Sequence, residues 1–299
     1  MARAKSPKIT RSIKLIMSLL IFICDYVLEG IHRVIGKKRP GKYTVLYYHA
    51  VTSDQRNHFA RQMDDLIRWA KPVSAGIKEP LEDGFRRVAV TFDDGFMSVL
   101  ENALPVLAQR KIPSTIFVPT GNVGQHPKWI KDKKGPLAGE VVITFDQLSR
   151  LKNNELVSIG SHGVTHSNLL LLKEAEVRVE LSESRRVLAA TLERDIKLLS
   201  FPHGAYNQKI VELAREAGYD RVFTILPKLG FSDPCEYVTG RVRVDPTDWR
   251  LEFRLKLLGA YCWLSLSSAL KCYIHRLMGK LPVIRKEYCC DSIMKSNRF

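Results

Sequence analysis

Cysteine is the first scarcity. None lies between residues 25 and 234, no CxxC pair occurs, and the six present are Cys24, Cys235, Cys262, Cys272, Cys289 and Cys290. Small stapled domains spread their cysteines through the fold, so this distribution argues against a disulfide framework and reads as reduced or membrane-proximal thiols. Long apolar runs are missing too. The N-terminal run Leu15–Cys24 is ten residues long and stops at Asp25, whereas a helix that spans a bilayer needs roughly 20. No small-residue cleavage site follows it, which argues against a removed signal peptide. There is no internal repeat, no low-complexity segment and no nucleic-acid recognition motif or aromatic-interleaved basic stripe, so a nucleic acid is not the expected partner. Carboxylates are the minority charge: 31 Asp and Glu stand against 47 Lys and Arg, a formal net charge of +16. That excess favours acidic partners such as an anionic membrane face or a negatively charged substrate.

What is present is regular. At 299 residues and 45% hydrophobic content, the chain can bury the core of one large α/β domain or two small ones. Short β-rich runs occur at 43–48, 87–92, 114–118, 156–160, 196–200, 221–225 and 241–244. Between them lie stretches of helical period such as EAEVRVELSESRRVLAATLER and QKIVELAREAGY. Such alternation implies a parallel sheet with helical crossovers, open or closed into a barrel, with reactive residues on the loops after the strand C-terminal ends.

Three of those ends carry polar chemistry. After Val88-Ala89-Val90 comes TFDDG, with Asp93 and Asp94 side by side. A turn explains Asp-Asp-Gly in isolation, but adjacent like charges are costly unless a proton or cation sits between them. After LVSIG comes SHGVTHSNL, where His162 and His166 are spaced to aim at one point. After IKLLS comes FPHGAYN, where Pro202 and Gly204 shape a turn around His203. An isolated HxxxH is most often surface polarity. Strand ends of one β/α array converge on one face, however, and two histidines with one aspartate make a three-ligand site with open positions for water and substrate.

In this order and combination, TFDDG, SHGVTH and the proline turn resemble the metal-dependent polysaccharide deacetylases, the NodB homology group (carbohydrate esterase family four). The likeness covers about residues 43–250. It implies a distorted (β/α)7 barrel, with Asp93 as general base and Asp94, His162 and His166 as ligands of a divalent metal, Zn2+ or alternatively cobalt or another ion. It also implies that the His203 backbone N–H faces the oxyanion and that Pro202, Tyr206, Arg241 and Trp249 line the substrate. The chain departs from the family pattern in places. Ser200 stands where many members carry the Arg that orients the base, a role Arg241 or Arg243 can take. His203 replaces the usual Tyr. The late LxH motif has no counterpart after residue 250. VLYYHAV on the first strand fits a circularly permuted member, making His49 the general acid and placing Tyr47 at the Leu position. DPTDW resembles the fourth family motif through Asp245, Asp248 and Trp249, and equally reads as a helix-capping loop.

The expected organisation is a basic segment with a short apolar helix at 1–42, a deacetylase domain at 43–250 and a basic helical extension at 251–299. The N-terminal helix either lies in the membrane interface or packs on the domain, with a bilayer span behind these two. The chain is expected at a membrane, peripherally or through one N-terminal anchor, with the cytoplasmic face favoured. An N-acetylated glycan is the expected substrate, and an anionic membrane surface is a further partner through both basic helices. The reading is a hydrolase that removes acetyl from an N-acetylated polysaccharide or lipid-linked glycan. A carbohydrate-binding barrel without catalysis and a basic nucleic-acid-binding protein are the alternatives.

Overall fold

The computed structural model describes residues 8–36, 41–78, 86–132, 134–230 and 236–265. In chain order its elements are α1 (Lys8–Val34), β1 (Lys42–Tyr48), α2 (Arg56–Trp69), β2 (Lys71–Pro72), β3 (Arg86–Phe92), α3 (Leu104–Gln109), β4 (Ser114–Val118) and α4 (Phe145–Arg150). There follow β5 (Val157–Ser161), α5 (Glu174–Leu192), β6 (Leu198–Ser200), α6 (Gln208–Glu216), β7 (Arg221–Phe223), β8 (Val238–Thr239), β9 (Val242–Arg243) and α7 (Arg250–Leu257). All seven expected strands are present. The two without a counterpart in the sequence reading, β2 and β8, have only two residues each, too few to show a period.

Every strand pairing is parallel, in the order β8-β7-β6-β5-β4-β3-β1-β9, with β2 on β3. The two ends of that order, β8 and β9, are separated in the chain only by Gly240 and Arg241. So short a link reaches about 10 Å, so the sheet has to curl until its edges almost meet. This is the distorted β/α barrel of the expectation.

Alternation along the strands divides the core in two. One face of β1 sends Tyr43 and Val45 inward to meet Ala89, Phe117 and Phe223. The other sends Leu46 and Tyr48 outward among Val90, Phe92, Ile116 and the helix-facing core. Tyr47, Thr91 and Asp93 continue the inward register toward the C-terminal mouth. In α5, Val177, Leu181, Leu188 and Leu192 form the buried stripe, with Glu180 set among them.

The apolar segment forms a helix of 27 residues, inside the N-terminal segment 1–42 and longer than its ten-residue apolar run. Asp25 does not interrupt it, because its carboxylate pairs with Lys42. Thr10–Val34, with a mean hydropathy of 1.8, is long and apolar enough to cross a membrane by length and composition. At the other end, α7 buries Phe253, Leu255 and Leu257, so packing continues past residue 250. Of the cysteines, Cys24 and Cys262 are free thiols. Cys235, the basic cluster at 37–39 and the tail from residue 266, with Cys272 and His275, lie outside the described residues.

Candidate metal centre

Asp94 directly follows Asp93 at the mouth of β3 and adopts φ 69°, and Gly95 adopts φ 60°. A Cβ on Gly95 would meet Val118 Cγ2 at 3.1 Å, so this turn tolerates little besides glycine. His162 follows β5, and His166 closes the next turn with φ 60°. His203 adopts φ 59° in the turn after β6. Three non-glycine residues in a left-handed conformation at adjoining strand ends are a concentration of strain of the kind that marks functional sites.

The side chains converge. His166 Nε2 lies 3.1 Å and His162 Nε2 3.6 Å from Asp94 Oδ1. All three residues are buried, and their ligand atoms fall within 4.8 Å of one another. His162 Nδ1 lies 2.7 Å from the Ser200 carbonyl, which can only accept, so Nδ1 carries the proton. Burial drives the His162 pKa down to about 4. The neutral ring therefore turns the Nε2 lone pair toward Asp94. Asp94 Oδ1 is itself buried and faces these two imidazole nitrogens. Burial alone would raise the Asp94 pKa, but the neighbouring imidazoles hold it well below the usual carboxylate range. A buried carboxylate oxygen facing two imidazole nitrogens fits a divalent cation.

Asp93 belongs to a second arrangement. Arg241 is fully buried and grips it in a fork, Nη1 to Oδ1 at 2.7 Å and Nη2 to Oδ2 at 2.8 Å. Arg241 Nη2 also donates to Ser200 Oγ at 2.7 Å, and its guanidinium carbon lies 4.7 Å from the Tyr47 ring centroid. Burial pushes the Asp93 carboxyl up, yet the charge and hydrogen bonds of Arg241, together with His162 and His49, outweigh it, and the pKa sits below the ordinary value. Ser200 thus does not leave the orienting position empty: it holds the arginine that arrives from the link between β8 and β9.

The remaining expected residues divide. His49, half-buried at the end of β1, lies within electrostatic reach of both aspartates, and burial lowers its pKa. His203 packs edge-on to His166 at 4.6 Å. Pro202 is buried beneath that turn, and Tyr206 stacks on Phe201 at 5.3 Å, on the outer core. Trp249 is not brought to the metal centre: it is 47% exposed and lies under Arg11 of α1. Asp248 accepts from Lys256 Nζ at 2.6 Å, and Asp245 caps the neighbouring turn through Thr247. Arg241 instead donates to Asp93, Ser200 Oγ, Thr91 Oγ1 and the Thr224 carbonyl.

Two residues escaped the sequence reading. Trp129 stacks on His166 with ring centroids 4.0 Å apart, from a loop without a motif. Glu180 accepts from Val164 N at 2.7 Å, Thr165 N at 3.0 Å and Thr165 Oγ1 at 2.6 Å, fixing the turn between the histidines. The signal for Glu180 was available, as an acid inside the apolar stripe of α5.

Comparison with known proteins agrees with this geometry. Residues 81–222 match the profile of the family described as polysaccharide deacetylase. YxkH of Bacillus subtilis (strain 168) is 25% identical over 226 residues, 71% of this chain and 75% of its own. The poly-beta-1,6-N-acetyl-D-glucosamine N-deacetylase of Staphylococcus aureus (strain MRSA252) is 24% identical over 223 residues, 67% of this chain and 72% of its own. IcaB from Ammonifex degensii superposes with a TM-score of 0.59 at 25% identity, covering 74% of this chain and 97% of that one. By its fold, by the residues at its strand ends and by these likenesses, the chain carries a polysaccharide deacetylase domain of the NodB type.

Proposed function

We propose that the protein is a metal-dependent hydrolase that removes N-acetyl groups from a polysaccharide or lipid-linked glycan, releasing acetate and leaving a free amine. The observation that carries this reading is the buried Asp94 Oδ1 facing two imidazole nitrogens beside an aspartate clamped by arginine. Asp94, His162 and His166 hold the cation, with Zn2+ as the first choice for a site of two nitrogens and one carboxylate oxygen. When bound, such an ion supplies Lewis acidity and lowers the pKa of water.

The chain's own groups do the rest. Asp93 takes the proton of the attacking water, and Arg241 keeps its carboxylate ionised and aimed. The His203 N–H faces the oxyanion that forms on the acetyl carbonyl. His49 gives a proton to the departing amine, a role suited to an imidazole at the site mouth. Trp129 fixes the His166 ring by stacking. The 43–250 unit carries this chemistry, with α7 completing its wall. The expected cytoplasmic face finds no support in the comparisons and is not kept.

The test is acetate release from soluble β-1,6-linked N-acetylglucosamine oligosaccharides. Asp93→Asn should bind metal as wild type does and lose on the order of 10²–10⁴ in rate. Unimpaired release by this variant would remove Asp93 from the mechanism.

A further inference from the structure

Helix α1 is inverted relative to the usual surface helix of a soluble domain. Positions 11, 15, 18, 22, 25 and 29 recur at three- and four-residue steps and so share one face. That face meets the barrel, and it carries the polar groups. Arg11 Nε donates to Glu252 Oε2 at 2.7 Å, and Ser18 Oγ accepts from Trp263 Nε1 at 2.9 Å. Asp25 pairs with Lys42, and Glu29 accepts from Arg86 Nη2 at 2.9 Å. Leu15, Leu19 and Phe22 pack between these anchors. The opposite face presents Ile13, Ile16, Met17, Leu20, Ile23 and Val27, each between 41% and 57% exposed. A surface helix in water shows the reverse pattern, apolar toward the protein and charged toward solvent.

Basic residues cluster on both flanks of the helix. Arg3, Lys5 and Lys8 precede the apolar stripe, and Arg33, Lys37, Lys38 and Arg39 follow it. Cations on both flanks of an apolar face complement the headgroups and acyl boundary of an anionic leaflet. A bilayer span would need α1 to leave the barrel. It would carry Asp25 and Glu29 into hydrocarbon, where charge is costly, and would take from Lys42, Arg86 and Glu252 the partners they hold on α1. Lying flat satisfies both faces at once.

We infer that α1 stays docked on the barrel and lies in the plane of an anionic membrane interface, its outer face in the acyl boundary and its basic ends among the headgroups. The helix starts beside the 245–249 loop, at the site end of β9, and runs down to Lys42 and Arg86, the first residues of β1 and β3. Its axis therefore follows the strands. The barrel then rests on its side, and the mouth holding Asp93 and Asp94 opens along the membrane surface. Trp249, exposed at that end, is of a residue type that collects at membrane interfaces. The inference rests on α1 and its contacts and is independent of the chemistry proposed for the site.

The experiment uses the full-length protein and vesicles of phosphatidylcholine with phosphatidylglycerol, compared with phosphatidylcholine alone. Retention at low salt that weakens as salt rises is expected, with weaker retention on the neutral vesicles. The double variant Ile16→Glu, Leu20→Glu should lower partition by roughly tenfold or more with an unchanged circular dichroism spectrum. Nitroxide labels at positions 13, 20 and 31 of the otherwise wild-type chain supply a measurement that does not depend on that variant folding. In-plane docking gives them equal depth below the headgroups. A steady gradient of depth along the helix means a span and overturns the inference. Failure of the wild-type protein to bind at low salt overturns it as well, and a lipid-free dimer closed through this face would assign the face to a second copy.

Discussion

At the scale of the residue, the deciding group is Arg241. It links the barrel interior to the site, stacked over Tyr47 and forked onto Asp93. Replacing one partner of a buried ion pair leaves the other charged and unpaired, typically at about 3–5 kcal/mol. In the wild type the Asp93 pKa is depressed, so the pair stabilises the fold above the ordinary carboxylate pKa and loses that contribution as pH falls through the lowered value. In Arg241→Met, burial acts alone and the Asp93 pKa rises. We therefore expect a lower unfolding midpoint together with an acid limb of kcat/KM displaced to higher pH. An unmoved acid limb would show that Arg241 is structural only. Asp93, Asp94, His162 and His166 were legible in the sequence because each pair lies within one loop, where spacing alone places them. Arg241 was legible only as one of two candidates, because its meeting with Ser200 and Asp93 depends on how far the sheet curls. Trp129 was not legible, because nothing in its loop distinguishes a ring that stacks on a ligand from one that packs on a surface.

At the scale of the element, α1 changes what a truncation means. The sequence leaves that helix either in the membrane interface or packed on a domain that begins at about Tyr43. The structure gives the barrel several partners on it: Arg11 for Glu252, Ser18 for Trp263, and Asp25 and Glu29 for Lys42 and Arg86. Deleting residues 1–40 strips Glu252 of one cation and leaves the other, Lys256 Nζ at 3.0 Å, in place. We expect the shortened protein to unfold several degrees lower, since about 1 kcal/mol moves the midpoint of a domain this size by roughly 2–4 °C. It should still release acetate from soluble oligosaccharides, because the contacts of α1 among the described residues go to Lys42, Arg86, the 245–252 region and Trp263, not to Asp94, His162 or His166. An unchanged midpoint would mean that the helix contributes nothing to the fold. The ten-residue apolar run is shorter than the helix for a physical reason: Asp25, which ends the run, is answered by Lys42 across the packed face, so the helix continues through it.

At the scale of the whole molecule, the β/α period revealed the architecture, and seven of the strands were readable as runs. What the period could not show was closure, which follows from the two-residue link between β8 and β9. That closure brings Arg241 over the strand ends and separates the chemistry of Asp93 from that of Asp94. The central claim is that Asp94, His162 and His166 hold a divalent cation for the hydrolysis of an acetamide. The most direct test is elemental analysis of the purified full-length protein after loading with Zn2+ and desalting, in parallel with His162→Ala and Asp93→Asn. A single bound ion in the wild type and in Asp93→Asn, with most of it lost from His162→Ala, is the expected result. Equal metal content in His162→Ala and the wild type would contradict the account.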